Sequence, residues 1–300
     1  MQTPSEGLGT FLGVPALQGP PGAGDIVVVG APRGVSYPSA GPADACAEGP
    51  AAIRARSGRL GRFIDHHDFD LGGPLLPAGS EVRVWDVGDM AGADETRLEV
   101  SRLAGSDAIP IVLGGDDSVT IPTLRGLETL GSLAVLQLDA HLDFRDEVGG
   151  VRDGYSSAMR RAAEMQHVAT IFQVGLRGVG SAGVEDVADA RARGNVLVTA
   201  DELGARGVSW LLDGLPSAVP VFIALDLDAL DPSVAPGVSA PVPGGLSYGQ
   251  VRDVLLGIGT RARVAGAVVT ELAPQLDVGR STALVAVRLV STLIGAIARR

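Results

Sequence analysis

Asp139, His141 and Asp143 stand at alternate positions at the end of an apolar run, Leu133-Ala-Val-Leu-Gln-Leu138. Alternate residues of an extended chain project to the same side, so two carboxylates and an imidazole converge there. That donor set suits manganese, nickel or zinc. A second run, Val221-Phe-Ile-Ala-Leu225, leads into Asp226 and Asp228 with the same spacing. Aspartates often end strands as turn caps, and either cluster alone reads that way. On two adjacent strands the clusters would set five ligands around a space for two divalent ions. Asp139 and Asp226, each the first acid off its strand, are the expected bridging carboxylates. Two ions sharing a solvent oxygen generate hydroxide near neutral pH, which makes a metal-bridging hydroxide the expected nucleophile. Glu271 ends another apolar run and is left to pair with a cation; a planar guanidinium suits it. No serine or cysteine lies in a nucleophile elbow, Cys46 has no suggestive neighbours, and the glycine pairs at 114–115 and 244–245 form no phosphate-binding fingerprint. Spacing alone therefore leads to a dinuclear metal hydrolase.

The elements that must position these residues alternate. Strand patterns cover residues 25–30, 81–86, 109–113, 133–138, 170–175, 195–199, 219–225 and 265–271, with helical patterns at 48–57, 89–103, 119–130, 157–165, 184–193, 208–215, 248–258 and 281–298. Eight strands alternating with helices predict a parallel sheet covered on both faces. In such sheets ligands bind beyond the carboxyl ends of the strands. Asp116, Asp117, Asp139, Asp226 and Glu271 all fall where a strand stops. No linker divides the chain, which reads as a Gly- and Pro-rich irregular arm over residues 1–24, lying on the surface or on a neighbouring subunit, followed by a single domain over residues 25–300.

Composition narrows the setting. A net charge of −11 argues against a nucleic-acid partner, which needs a basic patch. A single cysteine, Cys46, forms no internal disulfide and fits a cytoplasmic location. No signal peptide is visible at the start, and the apolar stretch from Thr282 to Ile297, interrupted by Arg288, reads as a buried helix, so no membrane association is expected.

Taken together, the motifs resemble those of the ureohydrolases, the arginase and agmatinase family. Gly114-Gly-Asp-Asp-Ser118 is similar to that family's Gly-Gly-Asp-His-Ser, and Asp139-Ala-His-Leu-Asp143 matches its Asp-Ala-His-x-Asp. Asp226-Leu-Asp-Ala-Leu-Asp-Pro232, with Gly244-Gly-Leu-Ser247, matches a third signature, and Thr270-Glu-Leu-Ala-Pro274 resembles the segment carrying the guanidinium-binding glutamate. The resemblance runs from about Gly24 onward and takes in Gly49-Pro-Ala-Ala-Ile-Arg54. It implies a three-layer α/β/α sandwich around an eight-stranded, mostly parallel sheet, and an agmatinase-like hydrolase that cleaves a guanidino C–N bond of a small substrate to urea and an amine. It also implies two divalent ions, manganese first and nickel or zinc after it, held by Asp117, Asp139, His141, Asp143, Asp226 and Asp228. Asp143, Tyr155 and Glu271 are the expected catalytic residues; Glu271, Tyr155 and Arg152 are expected to meet the substrate. Trimers or hexamers are the implied assembly.

Departures from the family pattern stand beside the matches. Asp117 replaces a histidine ligand, exchanging a neutral donor for an anion, and Tyr155 stands where relatives usually carry a proton-shuttling histidine. A phenol titrates near pH 10 and replaces an imidazole poorly at neutral pH. Gly237-Val-Ser-Ala-Pro241 departs from Gly-Thr-Gly-Thr-Pro. These changes point to an altered guanidino substrate, or alternatively to a non-catalytic, regulatory subunit that pairs with an active paralogue.

Overall fold

The computed structural model describes residues 9–35, 37 and 43–300. Its strands are β1 (Ile26–Ala31), β2 (Val84–Asp89), β3 (Ile109–Gly114), β4 (Leu133–Leu138), β5 (Val168–Leu176), β6 (Val196–Thr199), β7 (Val221–Asp226) and β8 (Val264–Thr270). They form one sheet in the order β2-β1-β3-β8-β7-β4-β5-β6, with every pairing parallel. Every residue of β1, β4, β7 and β8 is buried, as their unbroken apolar sequences require of strands covered on both faces.

The helices, in chain order, are α1 (Ala43–Cys46), α2 (Gly49–Ser57), α3 (Ala93–Ala104), α4 (Thr120–Gly126), α5 (Ala158–Ala162), α6 (Val184–Ala192), α7 (Ala200–Arg206), α8 (Val208–Gly214), α9 (Tyr248–Arg261) and α10 (Ser281–Ile297). Two cores sandwich the sheet. On one face Ile53 of α2, Leu203 of α7, Leu211 of α8, Val254 of α9 and Leu289 of α10 pack on Leu136, Leu138, Ile223 and Leu225. On the other, Val100 of α3, Leu124 of α4, Met159 of α5 and Ala190 of α6 pack on Val27, Val135 and Phe222. The result is the three-layer α/β/α sandwich with eight parallel strands that the alternation of elements implied.

The differences from the sequence expectations are local. The stretch 119–130 is not one helix: 3₁₀ turns at Asp117–Val119 and Glu128–Leu130 flank α4, which ends at Gly126, where α3 comes so close that a Cβ would lie 2.7 Å from Val100 Cβ. Helix α7 was not anticipated; Thr199 starts it by accepting a hydrogen bond from Glu202 N, and Gly207, at φ 82°, separates it from α8. From Gly9 the N-terminal segment runs along the surface of its own chain and is anchored there by a few buried residues. Phe11 and Leu12 are buried, their amides donating to Asp86 Oδ2 and Ser57 Oγ, both at 2.7 Å. Residues 1–8 of that expected arm lie outside the described residues. The segment Val278–Ile297 is long and apolar enough to cross a membrane, but 72% of its apolar window is buried inside the protein, where α10 packs on α2 and α9. Arg288 reaches from it to Asp68 at 2.6 Å and Asp70 at 2.8 Å.

The register sets the site. Leu138 of β4 pairs with Leu225 of β7, and Asp226 pairs with Thr270 of β8, so Asp139, Asp226 and Glu271 leave three neighbouring strands at nearly one level.

Candidate metal centre

Two groups of donor atoms converge at these strand ends. Oxygens of Asp117, Asp139 and Asp143 lie within 4.8 Å of one another, as do atoms of Asp139, His141 and Asp228. Asp139 belongs to both, the arrangement expected of a carboxylate bridging two ions. Asp226 lines the same cavity but belongs to neither group. Its Oδ1 accepts Asp228 N at 2.7 Å, because Asp226 caps the 3₁₀ turn Leu227–Ala229. That bond engages one of its two oxygens and leaves Asp226 beside both groups.

Asp117 joins the first group in place of the family's histidine. Its Oδ1 accepts from Thr120 Oγ1 at 2.8 Å and Thr270 Oγ1 at 3.2 Å. Its Oδ2 is buried without a hydrogen-bond partner. Buried polar atoms are nearly always satisfied, and a buried carboxylate oxygen with no donor of its own, on a residue grouped with two other carboxylates, fits a cation. The residues present thus suit a metal pair.

The electrostatics say the same. Burial, then the neighbouring carboxylates, push Asp117, Asp143 and Asp226 well above the ordinary aspartate range, and Asp228 is pushed up to about 6. Burial opposes protonation of His141, but its contacts with Asp139 and Asp228, the latter at 2.9 Å from Nδ1, outweigh it and raise the imidazole to about 10. So dense a cluster of buried acids is costly unless cations neutralise it.

Glu271 lines the same cavity. Its backbone is left-handed at φ 67°, held by Glu271 N donating to Gly115 O at 2.8 Å. Asp143, at φ 46°, is the other site residue in this region of backbone space. Strained backbone at two acids of one site is the kind that persists where function over-determines it. Glu271 Oε1 accepts Asp117 N at 3.0 Å; Oε2 accepts Ser239 Oγ and, at 3.4 Å, Cys46 Sγ. Burial pushes Glu271 up to about 7. Cys46, which carried no signal in the sequence, is buried against this carboxylate, and burial raises its thiol far above the range in which it could ionise.

Asp117, His141, Asp143, Asp226, Asp228 and Glu271 face a cavity of about 420 Å³, rimmed by Tyr155, Ser156, Val179, Ser181 and Ala240. Tyr155 packs against Tyr37 with tilted rings, centroids 4.6 Å apart, and burial pushes its phenol upward, so it remains a hydroxyl donor at neutral pH. Arg152 is not at the site. It is exposed, pairing with Asp146 at 3.0 Å and Glu164 at 3.7 Å, because these acids on its own side of the loop draw it outward. Ser239, Tyr37, Thr120, Thr270 and Gln137 were not anticipated. Ser239, Thr270 and Gln137 lie in stretches the sequence had marked, but nothing there distinguished these side chains from their neighbours.

A three-layer sandwich that gathers aspartates and a histidine at the carboxyl ends of its central parallel strands defines the class, a metal-site protein of the doubly covered α/β type. Comparison with known proteins makes this specific. The family described as Arginase family matches residues 24–295, and the chain belongs to it. It is 33% identical over 302 residues to proclavaminate amidinohydrolase of Streptomyces clavuligerus, covering 97% of this chain and 93% of that protein. It is 32% identical over 261 residues to agmatinase of Pyrococcus horikoshii, covering 84% and 85%. The solved structure of the Streptomyces clavuligerus amidinohydrolase superposes with a TM-score of 0.82 at 31% identity, over 97% of each chain.

Proposed function

We propose that the protein hydrolyses the guanidino group of a small linear compound, adding water across the C–N bond to release urea and the corresponding amine. The observation that carries this reading is the pair of donor groups sharing Asp139, with Glu271 lining the same cavity. Names of similar proteins agree in kind, agmatinase and proclavaminate amidinohydrolase among them. Asp117, Asp139 and Asp143 would hold one ion, and Asp139, His141 and Asp228 the other, with Asp226 beside them. Five of the six expected ligands are carboxylates, a hard set that favours manganese over softer ions. Two divalent cations there supply a water acidified to hydroxide near neutral pH.

The chain's own residues do the rest. Glu271 binds the cationic guanidinium by charge-assisted hydrogen bonds and, as a carboxylate raised to about 7, is drawn into its ionised form by that partner. Asp143, which lines the cavity beside His141 and Glu271, is the group placed to pass a proton to the departing amine. Tyr155 orients substrate as a donor at the mouth. A silent, regulatory subunit would need none of these groups.

The test is urea release across a panel of guanidino compounds with manganese-loaded protein. We expect turnover with at least one, abolished in His141→Ala, and kcat/KM down at least about 30-fold in Glu271→Gln, since removing one partner of a buried charge pair costs about 2–5 kcal/mol. Metal-loaded protein that releases no urea from any of them would overturn the proposal.

A further inference from the structure

Beneath the metal centre runs a line of buried amides that its chemistry does not use directly. Gln137 of β4 pairs in register with Gln173 of β5, and Asn195 sits just before β6 at the sheet edge. All three are buried. Flanking residues assign Gln137 and Gln173 to the sheet face where Val135 and Ile171 join the apolar core. A leucine at either position would pack without needing partners, and a buried amide is costly unless each of its polar atoms is bonded.

The bonds have one polarity. Gln173 Nε2 donates to Leu142 O at 2.6 Å, and a carbonyl can only accept, so this end of Gln173 is its NH₂. The same nitrogen donates to Gln137 Oε1 at 2.7 Å, while Gln173 Oε1 accepts Asn195 Nδ2 at 2.8 Å. With its oxygen engaged, Gln137 must present its NH₂ to the site, and Nε2 lies 2.6 Å from Asp139 Oδ2 and 3.4 Å from Asp143 Oδ2. One neutral amide thus spans two carboxylates, one of them shared by both donor groups. Flipping any amide in the line would set like ends against each other.

We propose that Gln137 is a positioning residue for the metal pair. Its two N–H groups fix the rotation of Asp139 and Asp143 so that their free lone pairs converge on the ions, and Gln173 with Asn195 holds that amide in its single productive orientation. Groups that hydrogen-bond to metal ligands orient them, and their loss typically weakens metal binding by about 10- to 100-fold. The inference rests on the metal-centre reading above.

The experiment titrates metal-stripped protein with Mn²⁺ alone, by calorimetry or chelator competition, in wild type, Gln137→Leu and Gln173→Met. Melting temperatures are recorded in parallel. We expect Kd to rise about 10- to 100-fold in Gln137→Leu and about tenfold in Gln173→Met, where Gln137 is intact but free to turn. Amides that only fill the core would shift the melting temperature and leave Kd unchanged, and that result would overturn the proposal. Should Gln137→Leu fail to fold, Gln173→Met decides alone: a wild-type Kd there sinks the relay. A wild-type protein that binds no Mn²⁺ is a separate failure, of the metal-centre reading itself.

Discussion

At the scale of single residues, the exchange of a histidine for Asp117 decides most about this site. An aspartate is shorter and anionic, yet two threonine hydroxyls hold its Oδ1 and leave Oδ2 buried without a donor, on a residue grouped with Asp139 and Asp143. The threonines thus supply the orientation that an imidazole would have derived from its own length. Removing the charge while keeping the shape should vacate one ion only. Asp117→Asn is expected to lower bound manganese from about two to about one per chain, measured by elemental analysis after desalting, because Asp139, His141 and Asp228 form the other group without it. Loss of both ions, or of neither, would show that Asp117 is not the ligand that separates the two positions.

Among the elements, the loop from β5 to α6 matters most after the strand ends. It passes over His141 so closely that a Cβ on Gly180 would lie 2.7 Å from the imidazole Cδ2. The ring must then move, or the loop must. Gly180→Ala is expected to cut urea release by about 100-fold, the usual cost of displacing a reacting group by about 1 Å, with unchanged far-UV circular dichroism. Wild-type turnover in this variant would mean that the loop is slack enough to yield. The sequence showed the strands and their order of helices because apolar periodicity is a local property. It did not show α7, whose start depends on one threonine hydroxyl, nor the burial of Phe11 and Leu12, whose partners Asp86 and Ser57 lie far along the chain.

For the molecule as a whole, the site is a source of instability that metal should relieve. Asp228 and Glu271, raised to about 6 and about 7, bind protons more tightly folded than unfolded. Their contribution to stability is complete below about pH 4 and is lost as pH rises through those values. His141, raised to about 10, acts in the same direction, its contribution present below about pH 6.5 and lost as pH climbs toward 10. The melting temperature of metal-free protein should therefore fall between about pH 5 and pH 8, and saturating Mn²⁺ at pH 8 should restore it, since an ion that binds only the folded state stabilises it by mass action. Thermal scans across that range check both; a flat profile without metal would mean that the acids are not buried together in solution.

The sequence by itself determined the doubly covered parallel sheet and which acids and imidazole fall at the ends of its strands. All of these follow from period-two patterning and from where apolar runs stop, which neighbouring residues decide between themselves. Only the tertiary structure decided which way the side chains turn. It gave Asp226 Oδ1 a turn to cap, drew Arg152 outward to Asp146 and Glu164, and set the amide of Gln137 beneath Asp139. A side chain's direction depends on hydrogen-bond partners tens of residues away, and no local pattern in the chain records them.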